Sequence, residues 1–316
     1  MKTAVVIGRG KIGSSLIKEL RKNNWRVKFS LDNNWVYRGN KKIGDAKNYR
    51  KYIKNVDCAF LAIPTFDNGK AAFDFIKCFA QKNIPIVTCE KGSLANYYFS
   101  LRPFANKIGY NATVGGGTRL LEYLHARNAK DFTEIVAVVN GTLNFIFDEI
   151  ACGQSIGKAV SKAIQRGYTE PGATKPLDVV NSELRDVFLK SVILFNVSCL
   201  SSKTLCAKNI QLPKVSVADL KSILQDKKMR CVVSISRKPQ RAIGGFCVKS
   251  GKWFLSAGFK SIDGYWLPHG VNNALLIREK MNDYLLQGPG AGVEPTVLSM
   301  IQDASKKFAA SPSLKL

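Results

Sequence analysis

Glycines at 8, 10 and 13 follow the apolar run Thr3–Ile7 without a break, so that Gly8-Arg9-Gly10-Lys11-Ile12-Gly13 leads into the helix-compatible stretch Ser14–Lys22. Each glycine has a physical reason in such a setting. The first permits the tight turn, the second lets backbone approach a pyrophosphate, and the third allows the helix to pack on the sheet; the helix N-terminus adds N–H donors and positive dipole. The chemistry implied is dinucleotide binding through Gly8, Arg9, Gly10, Lys11, Ile12 and Gly13, against the plainer reading of an ordinary strand-to-helix turn. Asp32 follows the second strand, where an acid would hold the ribose 2′-OH of NAD, while Arg9, Arg38, Lys41 and Lys42 could neutralise the 2′-phosphate of NADP. Several cations surround one carboxylate that can equally cap a turn, so the balance favours NADP, with NAD as the alternative.

Acid–base chemistry has few candidates. His125 and His269 are the two histidines, which removes H-E-x-x-H metalloproteases and disfavours a Ser-His-Asp triad. Eight scattered cysteines contain no C-x-x-C pair and read as reduced thiols. Lys, Asp, Glu and Tyr are left. Asp186 and Lys190 stand four apart in a stretch whose Leu184, Val187, Phe188 and Val192 fit one helical face, so the two charges share a side. Spacing alone makes them an exposed ion pair worth roughly 0.3 kcal/mol. Lys91 follows a parallel strand whose carboxyl end should open on the ligand crevice, although most lysines in such places are merely solvated. Glu170 precedes Pro171 in a turn where acids are often capping residues. The Gly115–Gly117 run could aim carbonyl oxygens at a hard cation, or could simply start a helix running to Arg127.

The elements that must position these groups form an α/β pattern. Strands at Thr3–Ile7, Arg26–Leu31, Cys58–Ile63 and Ile84–Thr88 alternate with helical stretches, as in a Rossmann-like doubly wound parallel sheet. Past about residue 112 the pattern changes to a strand at Phe132–Val139, helices near 142–152, 156–166 and 179–197, then alternating strands at Cys231–Ser236, Gly244–Val248 and Trp253–Phe259. The second part is therefore α+β, with an open antiparallel sheet covered on one face. The expected division is 1–112 for nucleotide binding, 113–287 for substrate binding, catalysis and dimerisation, and 288–316 for a segment returning to the first domain, with a closing helix at Glu294–Lys306. A chain of 316 residues, 46% hydrophobic, can bury two cores, and it contains neither a run of about 20 apolar residues nor a secretory leader, so a soluble cytoplasmic protein is expected. Part of the net charge of +25 is local, with 15 Lys/Arg against 3 acids in residues 1–55, and the remainder is dispersed; without nucleic-acid-binding motifs the excess reads as a solvated surface, with attraction of anionic ligands as the alternative.

Six further segments appear in order: Val87-Thr88-Cys89-Glu90-Lys91-Gly92; Val114-Gly115-Gly116-Gly117-Thr118; Val139 to Ile146, with Asn140-Gly141-Thr142; Arg166-Gly167-Tyr168-Thr169-Glu170-Pro171; Asp178 with Asp186-Val187-Phe188-Leu189-Lys190; and Gln287-Gly288-Pro289-Gly290-Ala291-Gly292. Together with the glycine loop they resemble homoserine dehydrogenases over nearly the whole chain. The resemblance implies NAD(P)-dependent interconversion of L-aspartate 4-semialdehyde and L-homoserine, a step of threonine and methionine synthesis. It implies Lys190 as proton donor to the carbonyl oxygen, Asp186 as the group that holds that lysine and substrate, and Lys91 beside nicotinamide and substrate. Glu170 would bind the substrate ammonium, with Asp178 and Thr142 at the substrate, and Gly167 and Gly290 at the cofactor. Backbone carbonyls of Val114, Gly116 and Thr118 would hold a monovalent cation. The chain departs from the pattern at Asn111, where a glutamate is expected, and in a longer stretch between Glu170 and Asp186, with Asn181 near a usual glycine. The chain ends after the closing helix, so no regulatory domain is expected, and the open sheet suggests a homodimer. The competing readings are a Rossmann oxidoreductase acting on another amino-acid-derived aldehyde or imine, and, more remotely, a nucleotide-sensing or nucleic-acid-binding protein.

Overall fold

The computed structural model describes residues 1–169, 172–262, 266–290 and 292–309, and these divide into two compact units, one made of Met1–Thr113 with the chain from Val293 onward, the other of Val114–Gly292.

In the first unit the apolar run ahead of the glycine loop is β1 (Lys2–Ile7), followed by α1 (Lys11–Lys22) and β2 (Trp25–Leu31). An edge hairpin follows, β3 (Trp35–Arg38) and β4 (Lys41–Asp45), then β5 (Cys58–Leu61), α2 (Lys70–Gln81), β6 (Ile86–Thr88), α3 (Gly92–Leu101) and the two-residue β7 (Ile108–Gly109). The sheet order is β4-β3-β2-β1-β5-β6-β7. Strands β2, β1, β5, β6 and β7 run parallel. The hairpin pairs antiparallel, so the expected parallel sheet is in fact mixed at one edge. Ala4, Val6, Cys58, Phe60 and Val87 alternate along their strands to one face, where they bury against Leu16 and Leu20 of α1 and Val297, Met300, Ile301 and Ala304 of the C-terminal helix, Val293–Ala309. The intervening Val5, Ile7, Ala59, Leu61 and Ile86 are buried as well, and α2 packs against β5 and β6, so the sheet is covered twice. The chain leaves β1 first towards β2 and later towards β5, which puts a topological switch point at the carboxyl end of β1, where the glycine loop begins.

The second unit contains α4 (Leu120–His125), β8 (Phe132–Val138), α5 (Gly141–Ala151), α6 (Ile156–Gln165), α7 (Pro176–Val197), α8 (Val217–Ile223) and β9 (Met229–Ser236). It continues with β10 (Ile243–Ser250), β11 (Trp253–Ser261), β12 (Asn272–Glu279) and β13 (Asp283–Pro289). All strands pair antiparallel in the order β10-β11-β9-β8-β12-β13. Helices α5 and α7 pack on this sheet. The second face is not bare: every residue of β9 is buried, and Ile262 and Trp266 pack with Val136, Val138, Val232, Ala274 and Leu276. The helix that the glycine run could start begins only at Leu120, because Arg119 adopts a left-handed φ of 54° just before it, and is six residues long.

Candidate active site

The glycine loop folds as its spacing demands. A Cβ on Gly8, whose φ is +101°, would lie 2.1 Å from the Ala62 carbonyl oxygen, and one on Gly13 would lie 2.0 Å from that of Gly8. A Cβ on Gly10 would meet nothing within 4 Å. Gly8 and Gly13 are therefore glycines because protein backbone crowds them, and Gly10 because its face is left open. Gly10 is the N-cap of α1 and supplies no capping side chain, so the first turn, including Lys11 and Ile12, turns its N–H groups to that open face. This cradle fits a pyrophosphate.

Asp32 lies past the end of β2 with both oxygens engaged. Oδ1 accepts the N–H groups of Asn34 (2.9 Å) and Trp35 (2.8 Å), and Oδ2 accepts the Tyr37 hydroxyl (2.7 Å). Desolvation opposes its charge, yet these bonds and the nearby Arg9 hold the carboxyl below its ordinary range. Arg9 stacks 4.1 Å above the Tyr37 ring, while its Nη1 donates to Ser30 Oγ (2.6 Å) and the Gly39 carbonyl (3.1 Å), and its Nη2 to Asn40 Oδ1 (3.4 Å). Arg38 is exposed at the end of β3.

Lys91 stands at the N-terminus of α3, half-buried, just past the carboxyl end of β6. Its neighbour Glu90 is the buried cap of that helix, accepting the Gly92 (2.6 Å) and Ser93 (2.8 Å) N–H groups. Burial pushes the preceding Cys89 thiol up to about 11, against the pull of Lys91.

In the second unit, Lys190 Nζ lies 2.6 Å from Asp186 Oδ2 and donates to the Val139 carbonyl at 2.9 Å. Their side chains are 13% and 15% exposed, so the pair is not the solvent-facing bridge that its spacing alone would suggest. Asn140 Nδ2 donates to both Asp186 Oδ2 (2.9 Å) and Glu183 Oε2 (2.8 Å). Asn140 belongs to the Val139–Ile146 segment but has no role assigned from sequence, and Glu183 belongs to none of the segments, although Asn140 has the position of an N-cap and Glu183 lies one turn before Asp186. Thr142, in the first turn of α5, donates to the Tyr168 carbonyl at 2.7 Å. Gly167 ends α6 with φ +69°. Thr142 and Gly167 thus fix the turn that leads to Glu170, which lies outside the described residues. Asp178 is exposed in the first turn of α7, more than two turns from Asp186. Asn181 is structural: its amide bridges the Leu177 carbonyl and the backbone of Val215.

Val114 and Gly116 are buried in the glycine-rich turn, where the Gly115 carbonyl accepts the Thr118 N–H (2.9 Å) and the Thr118 hydroxyl donates to the Pro289 carbonyl (2.9 Å). Gly290 follows β13, and a Cβ there would overlap the Asn273 amide at 2.2 Å. Among the described residues no cluster of His, Cys, Asp and Glu could hold a metal, and no helix is long and apolar enough to cross a membrane.

The chain is 25% identical over 231 residues to a homoserine dehydrogenase of Sulfurisphaera tokodaii, covering 72% of this chain and 68% of that one. It is 25% identical over 259 residues to an NAD(+)-dependent homoserine dehydrogenase of Pseudomonas canavaninivorans, covering 79% and 71%. The fold matches a hyperthermophilic archaeal homoserine dehydrogenase in complex with NADPH with a TM-score of 0.72, at 20% identity and full coverage of both chains. The family model for homoserine dehydrogenase matches residues 123–304, a span that takes in Asn140, Asp186, Lys190 and most of the second sheet. A match across more than half of the chain, over the segment that carries the half-buried lysine–carboxylate pair, makes this protein a member of the homoserine dehydrogenase family.

Proposed function

We propose that this protein is an NAD(P)-dependent homoserine dehydrogenase, interconverting L-aspartate 4-semialdehyde and L-homoserine. The observation that carries the reading is the Lys190 ammonium, withdrawn from solvent and aimed by Asp186 and the Val139 carbonyl within the family-matched segment. The nicotinamide, when bound, supplies or accepts the hydride. Lys190 gives its proton to the oxygen of the reduced carbonyl, or takes one from the alcohol in the reverse direction, and Asp186 keeps the amine in place. Lys91 steadies developing negative charge on that oxygen, and Glu170, with Asp178 and Thr142, holds the amino-acid end of the substrate. A monovalent cation on the carbonyls of Val114, Gly116 and Thr118 belongs to this proposal as a structural ion; no step runs through it.

We infer NADP as the preferred nucleotide. An Asp32 carboxylate committed to Asn34, Trp35 and Tyr37 is poorly placed to accept a ribose diol as well, whereas Arg9 is held flat beside it, with Arg38, Lys41 and Lys42 on the adjoining hairpin. The residues of Met1–Thr113, with the C-terminal helix, would serve the nucleotide and those of Val114–Gly292 the substrate. Among the described residues the second sheet ends in the edge strands β10 and β13, which supports a homodimer; a cytoplasmic location belongs to the same proposal.

The deciding experiment is Lys190→Ala, with turnover of homoserine and nucleotide binding measured side by side. Loss of a positioned general acid should lower kcat by about 10²- to 10⁴-fold with nucleotide affinity nearly unchanged. Unchanged turnover would remove the assignment.

A further inference from the structure

Asp186 and Lys190 are turns of one helix, but the groups that orient them come from the junction of β8 and α5. Val139 contributes an acceptor to the lysine at 2.9 Å, and the next residue, Asn140, contributes a donor to the aspartate at 2.9 Å. The same Asp186 oxygen, Oδ2, takes both the Asn140 amide and the lysine. Two successive residues therefore grip both members of the pair.

The Asn140 amide cannot turn over. Its Oδ1 accepts the Leu143 N–H at 2.7 Å as the cap of α5, so its Nδ2 must face the two carboxylates. A flipped amide would set an oxygen against Glu183 and Asp186 and a nitrogen against an N–H, losing all three bonds. Glu183 is 6% exposed, and a carboxylate so withdrawn needs hydrogen bonds to its charge. Its bond to Asn140, at 2.8 Å, supplies one of them and also pins the amide on the side away from the cap.

We propose that Asn140 and Glu183 are positioning residues for the proton transfer: Glu183 anchors the Asn140 amide, the amide fixes Asp186 Oδ2, and that oxygen with the Val139 carbonyl aims Lys190. The proposal rests on the reading of Lys190 as the proton donor.

The test uses the full chain and four variants, measured for homoserine oxidation, nucleotide affinity and Tm. Asn140→Asp keeps the cap oxygen but sets a third carboxylate against Asp186 and Glu183 in place of the donor, and should lower kcat by about 10- to 100-fold and Tm by several degrees, with nucleotide affinity held. Glu183→Gln keeps an acceptor for the amide and should stay within about 3-fold of the parent, whereas Glu183→Ala should fall about 10-fold. Rescue by the glutamine marks an anchor, because a residue acting through its charge would lose as much in either variant. If Glu183→Ala fails to fold, Asn140→Asp and Glu183→Gln still decide. Asn140→Asp within 2-fold of the parent, or Glu183→Gln lowered by 10-fold or more, overturns the proposal while Lys190→Ala remains inactive. An inactive parent, or an active Lys190→Ala, overturns the functional reading and this inference together.

Discussion

Replacing Arg9 by glutamine tests nucleotide choice where the geometry is most specific. A guanidinium has five N–H donors. Two of them, on Nη1, go to Ser30 and Gly39, and one on Nη2 goes to Asn40. The remaining Nη2–H and the Nε–H form one edge of the plane, the edge that takes two oxygens of a phosphate side by side, and the Tyr37 ring beneath keeps that plane from swinging. One charge-assisted contact of this kind is worth about 1.5–3 kcal/mol, so Arg9→Gln should reduce kcat/KM for NADP by roughly 10- to 150-fold. Unphosphorylated NAD carries a neutral 2′-hydroxyl there in place of the phosphate, and its kcat/KM should change by less than about 3-fold. Arg9→Lys keeps the charge without the fork and should fall between the two. The assay is homoserine oxidation with each nucleotide at low and moderate salt, because a phosphate contact of this kind weakens as the Debye length shrinks. A ratio of NADP to NAD efficiency that stays within 2-fold of the parent in Arg9→Gln would refute the reasoning.

Gly10 and Gly13 should respond oppositely to alanine. Gly10→Ala has open space around the new methyl, so Tm should hold while nucleotide KM rises by about 10-fold or more; Gly13→Ala drives a methyl into the Gly8 carbonyl and should cost about 1–3 kcal/mol, read as a Tm lower by several degrees. Equal effects on both properties would sink the division of labour. In the second sheet, Asn273 is fully buried with neither amide atom hydrogen-bonded among the described residues, so Asn273→Leu, of nearly the same shape, should raise stability by about 1–3 kcal/mol in urea unfolding. A lower midpoint would show that the amide does something the protein needs.

Legibility in the sequence followed the strength of local pattern. The strand–glycine–helix unit could be read from Thr3 to Lys22 because buried β1 leaves a continuous apolar run and α1 places Leu16 and Leu20 on one face. The hairpin β3–β4 escaped because an exposed edge needs no apolar alternation: of Trp35–Arg38 only Val36 is buried. Strands β12 and β13 escaped for another reason. The run Ala274–Ile277 is apolar throughout, since β12 is covered on both faces, and four such residues do not distinguish strand from helix. Within the site, Asp186 and Lys190 were legible as a pair but not as a half-buried one. Burial comes from packing contributed far away in sequence, as does the partnership of Glu183 with Asn140, 43 residues apart. The same limit applies to Asp32, whose reading as a ribose ligand or a turn cap depended on where Tyr37 would put its hydroxyl.

The first unit is discontinuous, and this shapes how the chain leaves the ribosome. Val297, Met300, Ile301 and Ala304 complete the packing over Ala4, Val6 and Phe60, yet they are synthesised only after the whole of Val114–Gly292 has passed. At about 5–20 residues per second, that interval lasts on the order of ten to forty seconds. Through it the nascent N-terminal sheet carries an uncovered hydrophobic flank, while the later unit, being contiguous, can close by itself. Chaperone demand during synthesis should therefore fall on the segment made first, and loss of Val297–Ala304 should be felt in the strands near the start of the polypeptide.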